Sequence, residues 1–420
     1  MKLIHTADWH LGNIFHGHNR EAEFQHMTDW LLDLIDQEAP DAVLIAGDIF
    51  DSSNPSAQAE ALYYDFLLQA TSRQPGLQVV CIAGNHDSAG RIEAPAELLK
   101  RHNVYVRGKM HQKEDADEPD YAFHLLPLSR RGEEEACCVV VAAPYLRPHD
   151  IPGSTTAEQA LTTFFQQAAK SLRKSPFKNL PCISVAHYYA SRADIAQGEH
   201  SERLVVGGQD RIDADVAGQG AVYAALGHIH KAQRVADHTY YAGSLLPLSF
   251  SEKGYRRGAY IVEIDEQHGD ISVQQATYEP LRALISIPEQ GYATTAEALD
   301  AIRALPERKK HDEEGRAWPY LEIRISEQQP EPEFPAEATR LLEDKAVRFC
   351  RIVRQLTEQE VARGQGELPE RVNPFTPEDL LRETFQQRYS QEPSEAILQR
   401  FAIALEAAQS EQGDTEGRNQ

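Results

Sequence analysis

Apolar residues in the first half of the chain come in short runs, and each run breaks on a polar cluster of similar character. Lys2-Leu3-Ile4-His5-Thr6-Ala7 leads into Asp8-Trp9-His10, and Ala42-Val43-Leu44-Ile45-Ala46 leads into Gly47-Asp48. Val79-Val80-Cys81-Ile82-Ala83 leads into Gly84-Asn85-His86-Asp87, and Cys182-Ile183-Ser184-Val185-Ala186 into His187. Ala221-Val222-Tyr223-Ala224-Ala225-Leu226 leads into Gly227-His228-Ile229-His230. Runs of this length, rich in Val and Ile and bounded by Gly, predict buried strands. The gaps carry helical periodicity. Residues 21–37 place Phe24, Met27, Leu31, Leu34 and Ile35 on one face, and residues 57–70 do the same with Leu62, Phe66 and Leu67. Strand–helix alternation predicts an α/β sheet with helices packed on its faces. Ligands in such sheets gather beyond the carboxyl ends of the strands, which is where every polar cluster lies. Residues 109–120 are charged and predict a surface loop, and residues 148–178 hold a helix at roughly 156–172.

The pattern changes near residue 280. Strands are predicted at 282–288, 318–326 and 347–355, with helices at 294–305 and 335–345 between them. The chain therefore divides into a catalytic-type domain, 1–280, and a small α+β domain, 281–356. A polar linker follows at 357–375, holding Gly364, Gly366, Pro369 and Pro374. Residues 376–409 predict two amphipathic helices, the first with Leu380, Leu381 and Phe385, the second with Ile397, Leu398, Phe401, Ile403 and Leu405. Residues 410–420 are polar and are expected to be a disordered tail.

Composition narrows the class. A chain of 420 residues exceeds one ordinary core, and 41% hydrophobic with 25% charged residues is ordinary for a globular protein. No apolar run approaches the roughly 18 residues that span a bilayer. The polar cluster at residues 8–10 stands where a signal peptide needs its apolar region. Five cysteines, an odd number without CxxC spacing, point to a reducing, cytoplasmic compartment. The net charge of −23 opposes a stand-alone nucleic-acid binder, which usually carries a basic surplus. Bound cations and a basic partner subunit would offset it.

The clusters carry metal chemistry. A mixture of Asp, Asn and His fits Mn²⁺, Fe²⁺ or Zn²⁺ better than Ca²⁺, because imidazole suits intermediate transition ions. Any one cluster alone is weak, since Asp-x-His is common and a lone strand histidine is usually a core residue. Five in order, each closing a predicted strand, are not.

The order DxH, GDxxD, GNHD, H, GHxH resembles the calcineurin-like metallophosphoesterase superfamily over about residues 1–280, whose fold is a β-sandwich flanked by helices. The resemblance implies that Asp8, His10 and His230 hold one metal, that Asn85, His187 and His228 hold a second, and that Asp48 bridges both. It implies that His86 protonates or stabilises the leaving oxygen, with Asp87 orienting its ring. A capping or turn role for Asp87 stands beside that reading. Asp51 is left outside the catalytic set, as a supporting partner or a turn residue.

HTADWHLG at 5–12, GDIFDSSNPS at 47–56, AGNHDS at 83–88, GHIHK at 227–231 and YYAGS at 240–244 narrow the likeness. They resemble the SbcD family of nuclease subunits, bacterial counterparts of the Mre-type DNA-repair nucleases. This implies a Mn²⁺-dependent exonuclease and endonuclease acting on DNA ends and hairpins in repair, recombination and replication. It also implies a homodimer partnered by the SMC-like ATPase SbcC through the C-terminal helices, located in the cytoplasm and at the nucleoid when on DNA. No GxxxxGK[ST] occurs in this chain, so ATP would be the partner's substrate. Two alternatives are a small-substrate phosphodiesterase of the same superfamily and an inactive scaffold. The extra residues after 280 oppose the first, and the complete ligand set opposes the second.

Overall fold

The predicted strands assemble into two sheets, the sandwich that the family resemblance implies and that periodicity alone left as one sheet. The computed structural model describes residues 1–113, 116–195, 211–309, 315–326 and 331–355, with the single position 398. The first sheet contains β1 (Lys2–Thr6), β2 (Ala42–Ala46), β3 (Gln78–Ile82) and β4 (Val104–Arg107), mutually parallel in that order. The second contains β5 (Leu125–Ser129), β6 (Ala136–Ala142), β7 (Cys182–His187), β8 (Tyr223–Gly227), β9 (Gln233–Ala236) and β10 (Thr239–Tyr241). Its spatial order is β9-β10-β8-β7-β6-β5, with the pairs from β10 through β6 parallel and both edge pairs antiparallel. The first sheet is completed by β11 (Gly258–Ile264) and β12 (Ile271–Thr277), added antiparallel beside β1.

Alternation along each strand explains the sandwich. Leu3, Leu44, Val80 and Ile82 of the first sheet pack with Val140, Ile183, Val185 and Ala225 of the second. The intervening Ile4, Val43, Ile45 and Val79 face Phe24, Met27, Leu31, Tyr63 and Phe66 of two helices, α1 (Glu21–Glu38) and α2 (Ala57–Arg73). Val141, Ala186, Ala224 and Leu226 face Phe164 of α3 (Ala157–Lys174). Burying a Leu, Ile or Phe side chain is worth about 1.5–3 kcal/mol each, so both faces of both sheets contribute. Ser56 Oγ accepts the Ala59 N–H to start α2, and Thr156 Oγ1 accepts the Gln159 N–H to start α3.

Two local expectations change. Residues 109–120 include a short antiparallel ladder, Gln112–Lys113 with Ala116–Pro119, within the expected loop. The small domain consists of β13 (Leu284–Ile287), α4 (Thr295–Arg303), β14 (Tyr320–Ile325), α5 (Phe334–Leu342) and β15 (Arg348–Arg354). Its three strands are all parallel, so a βαβαβ unit stands where an α+β arrangement was expected. The parallel pairing requires a crossover between successive strands, and α4 and α5 supply it, packing on Leu321, Ile323 and Ile325. The linker and the two amphipathic helices expected at 357–409 lie outside the described residues, apart from position 398. Among the described residues no helix is long and apolar enough to cross a membrane.

Candidate metal centre

Backbone strain gathers at one end of the sandwich. Asp8 (φ 54°), His10 (φ 47°), Asp48 (φ 48°) and His228 (φ 101°) all occupy the left-handed region, which non-glycine residues rarely adopt. Each lies just past the end of β1, β2 or β8, where the turned backbone swings its side chain across the strand ends. Strain of this kind costs of order 1–3 kcal/mol per residue and persists where surrounding structure holds it, typically at functional sites. The neighbouring glycines permit the crowding. A Cβ on Gly84 would lie 2.2 Å from Asp48 Oδ1, and one on Gly47 2.4 Å from His187 Nδ1.

The seven side chains expected to bind metal converge there, and six of them are buried. Asn85 is half-buried. Ligand-type atoms of Asp8, His10 and His230 lie within 4.8 Å of one another, as do those of Asp48, His187 and His228. Asn85 Oδ1 lies 3.0 Å from His187 Nε2 and 2.8 Å from His228 Nδ1, so it joins the second group. Asp48 Oδ2 sits between the groups, 3.7 Å from His10 Nε2 and 3.2 Å from His187 Nε2.

The opposite ends of the side chains are held. Asp8 Oδ1 accepts the His228 N–H at 2.8 Å, and Asp48 Oδ1 accepts the His86 N–H at 2.9 Å. His187 Nδ1 donates to Ala46 O at 2.8 Å, leaving Nε2 directed inward. His230 Nδ1 pairs with Glu252 Oε1 at 3.0 Å, and His10 Nδ1 lies 3.3 Å from Asp51 Oδ1. Holding one ring nitrogen while the other points inward is how metal-binding histidines are oriented. Asp8 Oδ2 and His10 Nε2, both buried, have no hydrogen-bond partner in the protein, and neither has His10 Nδ1, which approaches Asp51 Oδ1 without forming a hydrogen bond. Orphaned buried polar atoms are costly, and a cation between the first two would satisfy both.

The electrostatics of the bare side chains agree. Burial pushes Asp48 up, yet His187 and then His10 outweigh it and hold the carboxyl below its usual range. Burial pushes His187 down, but the Asp48 charge and hydrogen bond lift it to about 9. Burial and the His187 charge bring His228 down to about 3. Asp48 thus draws a proton onto His187 in the bare site, a positive charge that a bound cation would replace.

His86 is half-buried, its ring 4.8 Å from that of His10 between centroids. Its Nδ1 donates to the Asp51 carbonyl at 2.9 Å, and its ligand-type atom lies within 4.8 Å of those of His10 and Asp48. This corrects the role expected for Asp87. That carboxylate does not orient the His86 ring; it accepts the N–H groups of Ile49 (3.2 Å), Phe50 (2.9 Å) and Gly84 (2.8 Å). It is a buried clamp between two loops, nearer to the turn role. Asp51, left out by the sequence reading, touches both His10 and His86. Glu252 was missed entirely. Its partner His230 is 22 residues away, and no local motif announces it.

Comparison with known proteins follows the same line. Residues 1–232 match the calcineurin-like phosphoesterase family, and residues 280–389 match the type 5 capsule protein repressor C-terminal domain family. The fold and site therefore define a metal-dependent phosphoesterase. The SbcD subunit of the SbcCD nuclease of Rhodobacter capsulatus is 32% identical, over 92% of this chain and 94% of its own length. Those of Bacillus subtilis and Escherichia coli K12 are 30% and 29% identical, each over 78% of this chain and about four fifths of theirs. The chain belongs to the SbcD family of calcineurin-like phosphoesterases.

Proposed function

We propose that the chain is a Mn²⁺-dependent DNA exonuclease and endonuclease, hydrolysing phosphodiesters at double-strand ends and hairpins with two cations. The observation that carries this reading is the single oxygen Asp48 Oδ2 between His10 Nε2 and His187 Nε2. One carboxylate shared by two ligand sets is the arrangement a paired-cation phosphoesterase needs. Asp8, His10 and His230 hold one ion, Asn85, His187 and His228 the other, with Asp48 common to both. Two such ions, when bound, supply Lewis acidity toward phosphate oxygens and bring the pKa of a water near neutrality.

The protein's own groups do the rest. Neutral Asn85 limits negative charge beside an anionic substrate. With Nδ1–H fixed on the Asp51 carbonyl, the proton that His86 exchanges sits on Nε2, from which it passes to the leaving oxygen. Glu252 holds the His230 ring by a hydrogen bond and Asp51 lies beside that of His10, so that both would present oriented nitrogens to a cation. The relatives named above are components of SbcCD, and this chain is the corresponding partner of an SbcC-type ATPase, as a homodimer. Residues 376–409 supply the docking segment, whose expected apolar faces need a groove to bury them.

A Mn²⁺ assay on hairpin and blunt duplex DNA, beside bis-p-nitrophenyl phosphate, tests the reading. Cleavage of all three substrates is expected. Activity on the small ester alone would mark a small-substrate phosphodiesterase, and no activity with no bound metal would mark a scaffold. Deleting residues 376–420 is expected to spare the small-ester activity and abolish capture of SbcC. Undiminished capture would move the docking site elsewhere.

A further inference from the structure

A polar network, buried at Glu23 and Arg20 and half-buried at Asn13 and Asp51, runs from the small domain to the candidate metal centre. It begins at Glu23, fully buried in the first turn of α1, where an isolated carboxylate would be costly. Four hydrogen bonds fill its oxygens. Arg20 donates Nε and Nη2 at 3.2 and 3.0 Å, Arg282 donates Nη1 at 2.9 Å, and the Tyr320 hydroxyl donates at 2.6 Å. Arg282 and Tyr320 belong to the small domain, and Arg282 also reaches Asn19 O at 3.1 Å.

The path continues from Arg20, itself buried and ringed by Phe15, Phe24 and Tyr320 at 5.1–6.0 Å. Arg20 Nη1 donates to Pro247 O at 2.7 Å and to Asn13 Oδ1 at 3.2 Å. Asn13 Nδ2 then donates to Asp51 Oδ1 at 3.1 Å. That same oxygen faces His10 Nδ1, and the carbonyl of Asp51 holds His86. Two guanidiniums meet one carboxylate at Glu23, and Asn13 carries the hydrogen-bonded path on from Arg20 to Asp51.

A latch serving stability alone could be apolar, and replacing buried ion groups by apolar ones is often neutral or stabilising. This one instead ends on Asp51, whose carboxylate lies 3.3 Å from His10 Nδ1 and whose carbonyl accepts the His86 Nδ1–H. We infer that Asn13, Arg20 and Glu23 are positioning residues, through which the small domain fixes Asp51 and thereby the aim of His10 and His86. The inference rests on the metal reading of the site and goes beyond it by making the small domain part of the centre's geometry.

Mn²⁺ titration of the full chain tests it, with the binding step lost in Asp8→Ala identifying the His10 pocket. Asn13→Asp keeps the acceptor for Arg20 and removes the donor to Asp51; Asn13→Ala removes both. Each is expected to weaken the His10 pocket by about tenfold or more, the scale of supporting-residue losses, and to leave the Asn85 pocket unchanged. On bis-p-nitrophenyl phosphate, kcat falls while KM stays near the wild-type value. Tyr320→Phe, which removes one hydroxyl in the small domain, should weaken the same pocket by a smaller factor. Added to Asn13→Ala it should cost nothing more, because the path is already cut. Additive losses, or wild-type binding in all these variants, would overturn the network. A wild-type chain that binds no Mn²⁺ would overturn the metal reading itself, and this inference with it.

Discussion

The two halves of the candidate metal centre are built differently. On the Asp8 side, a carboxylate oxygen and an imidazole nitrogen, Asp8 Oδ2 and His10 Nε2, have no hydrogen-bond partner in the protein. Glu252 and Asp51 stand behind two of its ligands. On the Asn85 side, a neutral amide oxygen already lies within hydrogen-bond distance of both imidazoles. The first half offers a carboxylate with its imidazoles, His230 being held from behind by Glu252; the second offers the neutral amide oxygen of Asn85 facing two imidazoles. A charged, pre-oriented socket binds a hard cation more tightly, so a Mn²⁺ titration is expected to resolve two steps, the tighter one lost in Asp8→Ala.

The largest effect should come from removing what the halves share. Asp48→Asn is expected to weaken both steps by more than about 100-fold, beyond the range seen for supporting residues. Metal analysis after dialysis reads this directly, and two ions retained at full occupancy would end the shared role. His86→Ala should break neither half. Both binding steps stay, DNA still binds, and hydrolysis falls by about 10²–10⁴-fold, as for a lost general acid. Loss of a metal step in that variant would make His86 part of the cation site instead.

Glu252→Gln separates the halves more finely. The amide keeps the shape but withdraws the charge facing His230 and Arg257. Affinity is expected to fall about 10–100-fold on the Asp8 side only. Equal weakening of both steps would show that Glu252 acts through the fold at large.

What the sequence revealed follows from what is local. The ends of the strands were legible because Gly47, Gly84 and Gly227 mark close approach beside ligating residues. The pairing of two sheets was not readable from periodicity. Val43 and Ile45 face helices while Ala42, Leu44 and Ala46 face the other sheet, and apolar residues serve both surroundings equally. Only the family resemblance pointed to a sandwich. Asp51 and Glu252 were out of reach for a related reason. Asp51 reads as a turn residue until His10 and Asn13 are brought beside it, and Glu252 reads as one more surface charge until β8 and the segment after β10 meet.

Asp87 tests the comparison at its mildest point, because it joins the loops of the two halves without belonging to either set of candidate ligands. Ile49 and Phe50 follow the shared Asp48, and Gly84 precedes Asn85; one carboxylate binds all three N–H groups. Its level agrees with so enclosed a place. Burial and then the Asp48 charge push it up to about 6, against the pull of the three amides. In Asp87→Asn the carboxamide oxygen can still accept, but its NH₂ group faces amide donors and leaves at least one without a partner. An unsatisfied buried amide costs about 1–3 kcal/mol. The melting temperature should therefore fall by several degrees, at roughly 2–4 °C per kcal/mol for a domain of this order of size. Both Mn²⁺ steps and the rate on the small ester should stay within about threefold of wild type, since no ligand or proton-transfer group is altered. Calorimetry and titration on the same preparation decide it. A stable variant that loses rate would return Asp87 to the catalytic set. One that loses only the Asn85-side step would show that the second half depends on its loop as the first depends on Glu252 and Asp51.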